Sequence, residues 1–460
     1  MSLIKSISGI RGTIGGKVDE NLTPIDAIKF AAAYGSWLKG QSGKEHVKVV
    51  IGRDARISGE MIQNLVQYTL IGLGIDVVNI GLSTTPTVEV AVPLEKADGG
   101  IILTASHNPK EWNALKLLNN KGEFVSDQDG KAILKIAQEN DFSFATVDHL
   151  GKFTHDDQYI DLHIEKVLAL PLVASEAIQK KKFRVVVDAV NSTGGIAIPR
   201  LLERLGVEVV KLYCEPNGHF PHNPEPLKEH LGDICKRVVE EKADFGIVVD
   251  PDVDRLAFIT NKGEMFGEEY TLVACADYVL GKAKGNVVSN LSSSRALRDI
   301  AQKHGVTYSA AAVGEVNVVT EMKRIGAIIG GEGNGGIIYP ELHYGRDALV
   351  GVALFLSLLA ERDGSVQQLR ESYPTYFMSK NKIQLTEQIN PNQILKAMEQ
   401  KYAHEQTTTI DGLKIDFSES WVHLRKSNTE PIIRIYTEAK SQKEADALAH
   451  RFIEEIQALI

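Results

Sequence analysis

Three stretches of this 460-residue chain repeat one plan. Each has a short β-branched run, a polar or glycine-containing loop, an amphipathic helical stretch, a glycine and a second β-branched run. They are "VKVVIGRDARISGEMIQNLVQYTLIGLGIDVVNIG" (47–81), "FRVVVDAVNSTGGIAIPRLLERLGVEVVKLY" (183–213) and "NVVSNLSSSRALRDIAQKHGVTYSAAAVG" (286–314). Gly74, Gly206 and Gly305 end the three helical stretches, each followed by a strand-type residue, as a left-handed helix stop requires. Such stretches predict βαβ units in mostly parallel sheets covered by helices, and their recurrence predicts duplicated α/β domains.

The last ninety or so residues read differently. "KNKIQL", "TTIDGLKIDF", "SWVHLRKS" and "PIIRIYTEA" alternate as in a small antiparallel sheet, with helices expected from about Asn390 to Tyr402 and over the final "SQKEADALAHRFIEEIQALI". The expected fold class is therefore α/β: three repeated mixed-sheet α/β domains plus a C-terminal α+β domain. The expected boundaries are 1–155, 156–256, 257–371 and 372–460. A chain of this length exceeds what one core supports, which agrees with several domains.

Composition narrows the function classes. With 51 basic and 60 acidic residues the net charge is −9, and no basic tract marks a nucleic-acid partner. An anionic substrate therefore needs locally placed basic groups. Cys214, Cys235 and Cys275 are odd in number and lack metal-ligand spacing, which predicts reduced thiols and a cytoplasmic setting. The opening "MSLIKSISGIRG" lacks the apolar core of a signal peptide, and no run approaches the length of a membrane span.

Four loops could carry chemistry. "TASHNPKEWNALKLL" (104–118) follows the apolar "GGIIL" and places Ser106 at the carboxyl end of a strand. Ser106 is either a reacting group or, with Asn108, the cap of a helix. An adjacent Ser-His pair without a nucleophile elbow does not suit a serine hydrolase. "FGIVVDPDVDRLAF" (245–258) sets Asp250, Asp252 and Asp254 at alternate positions after a strand. Three carboxylates this close need a cation, and hard oxygen ligands suit Mg²⁺. The rival reading is an Asp-rich turn; an EF-hand lacks its glycine and distal glutamate here. "IIGGEGNGGIIYP" (328–340) surrounds Glu332 and Asn334 with glycines; it is a tight turn or a holder of sugar hydroxyls, and its spacing fails the dinucleotide fingerprint. "LRKSNTEPIIRIY" (424–436) crowds Arg425, Ser427, Asn428 and Thr429 into one turn, a phosphate cradle or an ordinary hairpin. His219 and His222 in "GHFPHNPEP" could suggest a metal, but without further ligands a stiff loop between domains is the expectation.

Taken in order, the four loops resemble the motifs of the α-D-phosphohexomutase superfamily, which includes phosphoglucomutase, phosphomannomutase and phosphoglucosamine mutase. The resemblance spans the whole chain. It implies four domains around a central cleft, in chain order bearing the phosphoserine, the metal loop, the sugar loop and the phosphate loop. It also implies that Ser106 carries a phosphoryl group and joins Asp250, Asp252 and Asp254 on Mg²⁺, beside Arg255. Glu332 and Asn334 then hold the sugar, while Arg425, Ser427, Asn428 and Thr429 hold its phosphate. Lys116 matches a family lysine that acts as base, which a neighbouring cation would serve by lowering its pKa. Arg11 matches an arginine facing the same phosphate, and His107 could orient the phosphoserine. Many relatives have serine and histidine where this chain has Asn334 and Gly336, so any role of that histidine is not carried over.

"GGEGNGG", "AVGEVNV" (312–318) and "YGRDAL" (344–349) resemble the phosphoglucosamine mutase branch. The implied activity is interconversion of glucosamine 6-phosphate and 1-phosphate, with a hexose 1,6-bisphosphate as intermediate and activator. Phosphomannomutase or phosphoglucomutase activity is the alternative, and a sugar-phosphate phosphatase or a non-catalytic sensor the remote ones. The partner expected is a small sugar phosphate, with no nucleic acid or membrane, for a monomer or homodimer.

Overall fold

The structure is a computed structural model that describes residues 2–6, 9–44, 46–386, 389–426 and 431–459. All three repeated stretches form βαβ units with parallel strands. In the first, Val47–Arg53 and Ile75–Leu82 flank the helix Gly59–Gly72. In the second, Arg184–Asp188 and Glu208–Leu212 flank Gly194–Arg204; in the third, Asn286–Asn290 and Tyr308–Ala311 flank Ala296–Lys303. Gly74, Gly206 and Gly305 take φ of 80°, 70° and 65°. This is the left-handed region, where a Cβ is penalised, so each glycine ends its helix by conformation.

The first sheet is less parallel than the repeats suggest. Its seven strands run in the order Ile4–Ser6, Gly9–Thr13, Trp112–Leu118, Gly99–Leu103, Val47–Arg53, Ile75–Leu82, Phe153–His155. The strand after the Ser106 loop, Trp112–Leu118, runs antiparallel to Gly99–Leu103 and to Gly9–Thr13. The connection 104–111 is too short for a helical crossover, so the chain can only turn back on itself. In the second sheet, ordered Leu256–Thr260, Phe245–Val249, Arg184–Asp188, Glu208–Leu212, the aspartate loop is likewise the turn of an antiparallel hairpin. Both chemistry-bearing loops thus leave strands buried along their whole length, Gly99–Leu103 and Phe245–Val249.

Chain contacts divide the molecule into two compact units, residues 1–278 with 334–367 and residues 279–333 with 368–460. In the first, the helix Ala348–Ala360 is apolar on every side and buried at all positions but Leu358, as a central core helix must be. Its Phe355 stacks on Phe258 with ring centroids 3.8 Å apart, and Phe245 and Phe266 meet it edge-on at 5.6 and 5.4 Å. Phe245 and Phe258 lie on the two strands of the aspartate hairpin. Each buried ring contributes about 2–3 kcal/mol, and this cluster anchors the base from which the carboxylates project. Among the described residues no helix is long and apolar enough to cross a membrane. The three cysteines are free thiols.

In the second unit an antiparallel sheet runs Phe377–Gln384, Ile432–Ala439, Trp421–Lys426, Leu413–Asp416, Gln406–Thr408. Leu413, Ile415, Val422, Leu424, Ile433 and Ile435 alternate along its strands and meet Ile394 and Met398 of one helix and Phe452 and Ile456 of another. The first of these helices, Pro391–Lys401, starts where the sequence suggests, with Asn390 Oδ1 accepting from the backbone of Asn392 at 3.0 Å.

Candidate active site

Ser106 sits in the hairpin turn with φ 48°, in the left-handed region that a serine enters only when its surroundings hold it there. Its backbone N–H donates to Thr104 Oγ1 at 2.9 Å, and the Thr104 hydroxyl donates to Asp54 Oδ2 at 2.7 Å. Asp54 also accepts from Arg56 Nε at 3.0 Å, in an ion pair with no exposed side-chain surface. The Arg56 guanidinium then donates to the carbonyls of Ser106, Asn108, Pro109 and Trp112 at 2.5, 2.7, 2.6 and 3.0 Å. A planar fork of donors is what can gather four carbonyls of one turn. The helix-capping reading of Ser106 and Asn108 is corrected here, because a strand and not a helix follows.

The hydroxyl of Ser106 donates to Asp250 Oδ2 at 2.8 Å. Asp250, Asp252 and Asp254 are all fully buried, and one oxygen of each lies within 4.8 Å of the others. Asp252 Oδ2 accepts from Lys116 Nζ and Thr85 Oγ1, both at 2.6 Å; Asp254 Oδ2 accepts from Arg346 Nη2 at 2.7 Å, with Lys116 Nζ at 3.5 Å. Burial, and then repulsion from Asp252 and Asp254, pushes the Asp250 carboxyl well above its ordinary pKa. Burial acts the same way on Asp252, but Lys116 and the Thr85 hydroxyl outweigh it and hold that carboxyl low. Among the described residues, Asp252 Oδ1 and Asp254 Oδ1 are buried without a hydrogen-bond partner. Two orphaned carboxylate oxygens beside a third that resists ionisation are a donor set that a hard divalent cation satisfies.

The basic groups are arranged around these carboxylates. Burial alone would lower the Lys116 pKa, yet Asp252 and Asp254 more than offset that and hold it raised. Arg255 donates its backbone N–H to Asp250 Oδ1 at 3.1 Å and pairs with Glu225 at 3.2 Å. His107 Nδ1 lies 3.4 Å from Ser106 Oγ. Burial, with Arg255 adding repulsion, pushes its pKa down to about 2, so the imidazole is neutral. Arg11 pairs with Ala114 across the sheet, and Lys116 is two residues further along that strand. Both side chains therefore project from the same face. Asn334 Oδ1 accepts from the backbone of Gly336 at 3.2 Å, and the adjoining Gly335, at φ 83°, packs so close to the Leu256 carbonyl that a Cβ would lie 2.0 Å from its oxygen.

In the second unit, Glu332 Oε1 accepts from Asn290 Nδ2 at 2.8 Å and from the backbone of Gly314 at 3.1 Å. Arg425 pairs with Asp411 at 2.8 Å, and Asp411 also accepts from the backbone of Val313 at 3.0 Å. Glu332 and Arg425 are thus tied to the two neighbouring residues Val313 and Gly314. Ser427, Asn428 and Thr429 lie outside the described residues. His222 Nε2 meets Asp188 Oδ2 at 3.0 Å, and among the described residues neither it nor His219 joins a metal-capable group.

Sequence reasoning missed Arg56, Thr85 and Arg346. Arg56 and Arg346 lie in quoted segments, "GRDARISG" and "YGRDAL", but nothing local distinguishes them from surface arginines. Their partners are 50 and 92 residues away in the chain.

With this geometry in view, comparison with known proteins is specific. Family models described as phosphoglucomutase/phosphomannomutase, alpha/beta/alpha domains I, II and III, match residues 3–144, 157–263 and 267–376, and the C-terminal domain model matches 382–455. A phosphoglucomutase/phosphomannomutase of Thermococcus kodakarensis is 36% identical over 440 residues, covering 94% of this chain and 95% of the relative. A Methanopyrus kandleri protein named "Probable phosphoglucosamine mutase" is 31% identical over 457 residues, covering 98% and 97%. The crystal structure of a phosphoglucomutase/phosphomannomutase family protein from Burkholderia thailandensis matches with a TM-score of 0.85 and 26% identity over 99% of this chain and 98% of that one. The chain belongs to the phosphoglucomutase/phosphomannomutase family, within the α-D-phosphohexomutase superfamily, and is a phosphohexomutase, an intramolecular phosphotransferase.

Proposed function

We propose that the enzyme interconverts the 6- and 1-phosphates of a hexosamine, glucosamine first, through a phosphorylated Ser106 and a hexose 1,6-bisphosphate. The observation that carries this reading is the 2.8 Å contact of Ser106 Oγ with Asp250 inside a buried group of three carboxylates. A phosphoryl group on Ser106 brings about −1.5 to −2 charges to that place. Mg²⁺ held by Asp250, Asp252, Asp254 and the phosphorylated Ser106 supplies the neutralising charge when bound.

The chain's own groups then have defined tasks. Arg425, with Ser427, Asn428 and Thr429, binds the phosphate that is not being transferred, and Glu332 and Asn334 hold ring hydroxyls. In the first transfer the Ser106 Oγ–P bond breaks as a bond forms from a sugar hydroxyl oxygen to phosphorus. Lys116, an ammonium at rest, gives a proton to the departing Ser106 Oγ and, as the amine so formed, takes the proton of the attacking hydroxyl. In the return transfer a sugar O–P bond breaks as the Ser106 Oγ–P bond re-forms, with these proton transfers reversed. Arg11, Arg255 and the neutral His107 position the transferred group. The bisphosphate turns end over end and returns its other phosphate to Ser106, so the net proton and phosphoryl inventories balance.

The hexosamine preference is supported by the name of the Methanopyrus relative and by the similarity of the "GGEGNGG" loop. Contacts that must serve a ring in two orientations are few and adaptable, so discrimination at carbon two amounts to about 1–3 kcal/mol, or roughly ten- to two-hundredfold. The test is a parallel assay of glucosamine, N-acetylglucosamine, glucose and mannose phosphates with Mg²⁺ and catalytic bisphosphate. Glucosamine phosphate should be fastest, glucose phosphate weaker and mannose phosphate poorest. Mannose phosphate ahead by an order of magnitude would assign phosphomannomutase activity instead.

A further inference from the structure

The first unit holds a second group of buried metal-capable side chains, which the chemistry above does not use. His163, His343 and Asp347 have ligand atoms within 4.8 Å of one another. His163 lies on the helix Tyr159–Leu168, and Asp347 is the N-cap of the helix Ala348–Ala360, four residues after His343.

Their orientation is specific. Asp347 Oδ1 accepts from the backbone of Leu349 and Val350 at 2.8 and 3.4 Å, which leaves Oδ2 turned inward. That oxygen lies 2.9 Å from His163 Nε2 and 3.2 Å from His343 Nε2. Oxygens face both outer nitrogens: His163 Nδ1 is hydrogen-bonded to Thr87 Oγ1 at 3.0 Å, and His343 Nδ1 lies 3.3 Å from Glu89 Oε2, at ion-pair distance without hydrogen-bond geometry. The two rings stand nearly perpendicular, at 83°. His163 and Asp347 are sealed in, and the His343 side chain retains 10% of its surface, an entry edge.

Two protonation patterns fit these contacts. If both Nε2 atoms carry protons toward Asp347, His343 Nδ1 must also be protonated or face the Glu89 carboxylate lone pair to lone pair. If instead the outer Nδ1 atoms carry the protons, that of His163 donated to Thr87 and that of His343 facing the Glu89 carboxylate, then two imidazole lone pairs and one carboxylate oxygen are left within 4.8 Å of one another. The second pattern is the carboxylate–histidine–metal arrangement, in which an outer hydrogen bond, here that of His163 to Thr87, fixes the tautomer of a ligating ring. Tetrahedral bonds of about 2.0–2.1 Å place neighbouring ligand atoms about 3.3 Å apart, close to the 2.9 and 3.2 Å between Asp347 Oδ2 and the two imidazole nitrogens. Two nitrogens and one oxygen suit zinc and its neighbours, whereas Mg²⁺ prefers an all-oxygen set.

We propose that His163, His343 and Asp347 form a binding site for a zinc-class divalent metal, oriented by Thr87 and Glu89, that staples the helix Tyr159–Leu168 to the start of the helix Ala348–Ala360. The staple joins groups 184 residues apart in the chain. Ion bound there stabilises the folded chain by an amount that grows with the logarithm of the free ion concentration above Kd.

The test uses the full chain without an affinity tag, stripped with chelator and re-equilibrated with Zn²⁺ in excess Mg²⁺ so that the aspartate loop is competed. Bound zinc is counted by mass spectrometry after gel filtration, and the thermal midpoint is read with and without zinc. Stoichiometric retention and a midpoint raised by about 5 °C at a hundredfold excess over Kd are expected. His343→Gln, at the exposed edge, should weaken retention by at least about tenfold and abolish the shift. Should that variant not fold, Co²⁺ on the wild type decides: the site as drawn has intense visible bands of a four-coordinate, nitrogen-ligated ion. Wild type that fails to retain zinc, a folded His343→Gln that retains it equally, or cobalt bands typical only of six oxygen ligands would overturn the proposal.

Discussion

Replacing Arg56 by Met isolates the device that holds the Ser106 turn. Asp54 would then lie fully buried with only the Thr104 hydroxyl and one backbone N–H as partners, the latter at 2.9 Å. Removing one member of a buried pair costs about 3–5 kcal/mol, because the remaining charge is uncompensated. The four carbonyls of the turn lose their donor as well. Those of Asn108 and Pro109 lie at the partly exposed end and recover water, so roughly 1 kcal/mol more is a fair figure for the set. The expected loss is about 4–6 kcal/mol, a large share of the stability of any domain. Burial already raises the Asp54 pKa, with Arg56 as the main opposing influence, so without Arg56 the carboxyl protonates more readily and the loss should shrink as pH falls. Adding Asp54→Asn to Arg56→Met removes the orphaned charge and should recover about 2 kcal/mol. Trp112 borders the turn and, as one of three tryptophans, gives a local fluorescence signal for urea unfolding beside the turnover measurement. Arg56→Met within about 1 kcal/mol of wild type, or a double variant no better than the single one, would refute the argument that a buried guanidinium clamps this loop.

Ser106→Ala should abolish mutase turnover by several orders of magnitude with the thermal midpoint little changed, and the mass increase of one phosphoryl group seen on wild type after incubation with a sugar bisphosphate should vanish; retained turnover would remove Ser106 from the mechanism. Asn at Asp250, Asp252 or Asp254 should each sharply raise the Mg²⁺ concentration for half activity, and a double variant should lose little more than a single one; multiplicative losses in a Mg²⁺ titration would argue against a shared ion. Burial pushes His423 down from 6.5 to about 4, so the unfolded chain takes up the proton first and stability should fall as pH drops through that window; His423→Gln should flatten this part of a denaturation profile, and an unchanged slope would exclude the residue as its source.

The sequence alone determined the βαβ repeats, the antiparallel C-terminal sheet and the placement of the aspartates and Ser106 at strand ends, because these rest on local periodicity and on glycine stops such as Gly74, Gly206 and Gly305. Family resemblance extended that reading to roles for Lys116, Glu332 and Arg425. Tertiary structure decided what surrounds them. Ser106 meets Asp250 across 144 residues, and Lys116 meets Asp252 across 136. Whether Ser106 caps a helix or turns a hairpin depended on the pairing of Gly99–Leu103 with Trp112–Leu118, which is a property of the sheet. The raised pKa of Lys116 followed from Asp252 and Asp254 outweighing burial, a balance that spacing along a chain does not encode. Arg56 and Arg346 look like any arginine in a loop, and the same is true of His163 and His343 as isolated histidines. Their partners are assigned only when distant strands and helices pack, since a guanidinium or an imidazole takes its function from the oxygens the fold brings within about 3 Å.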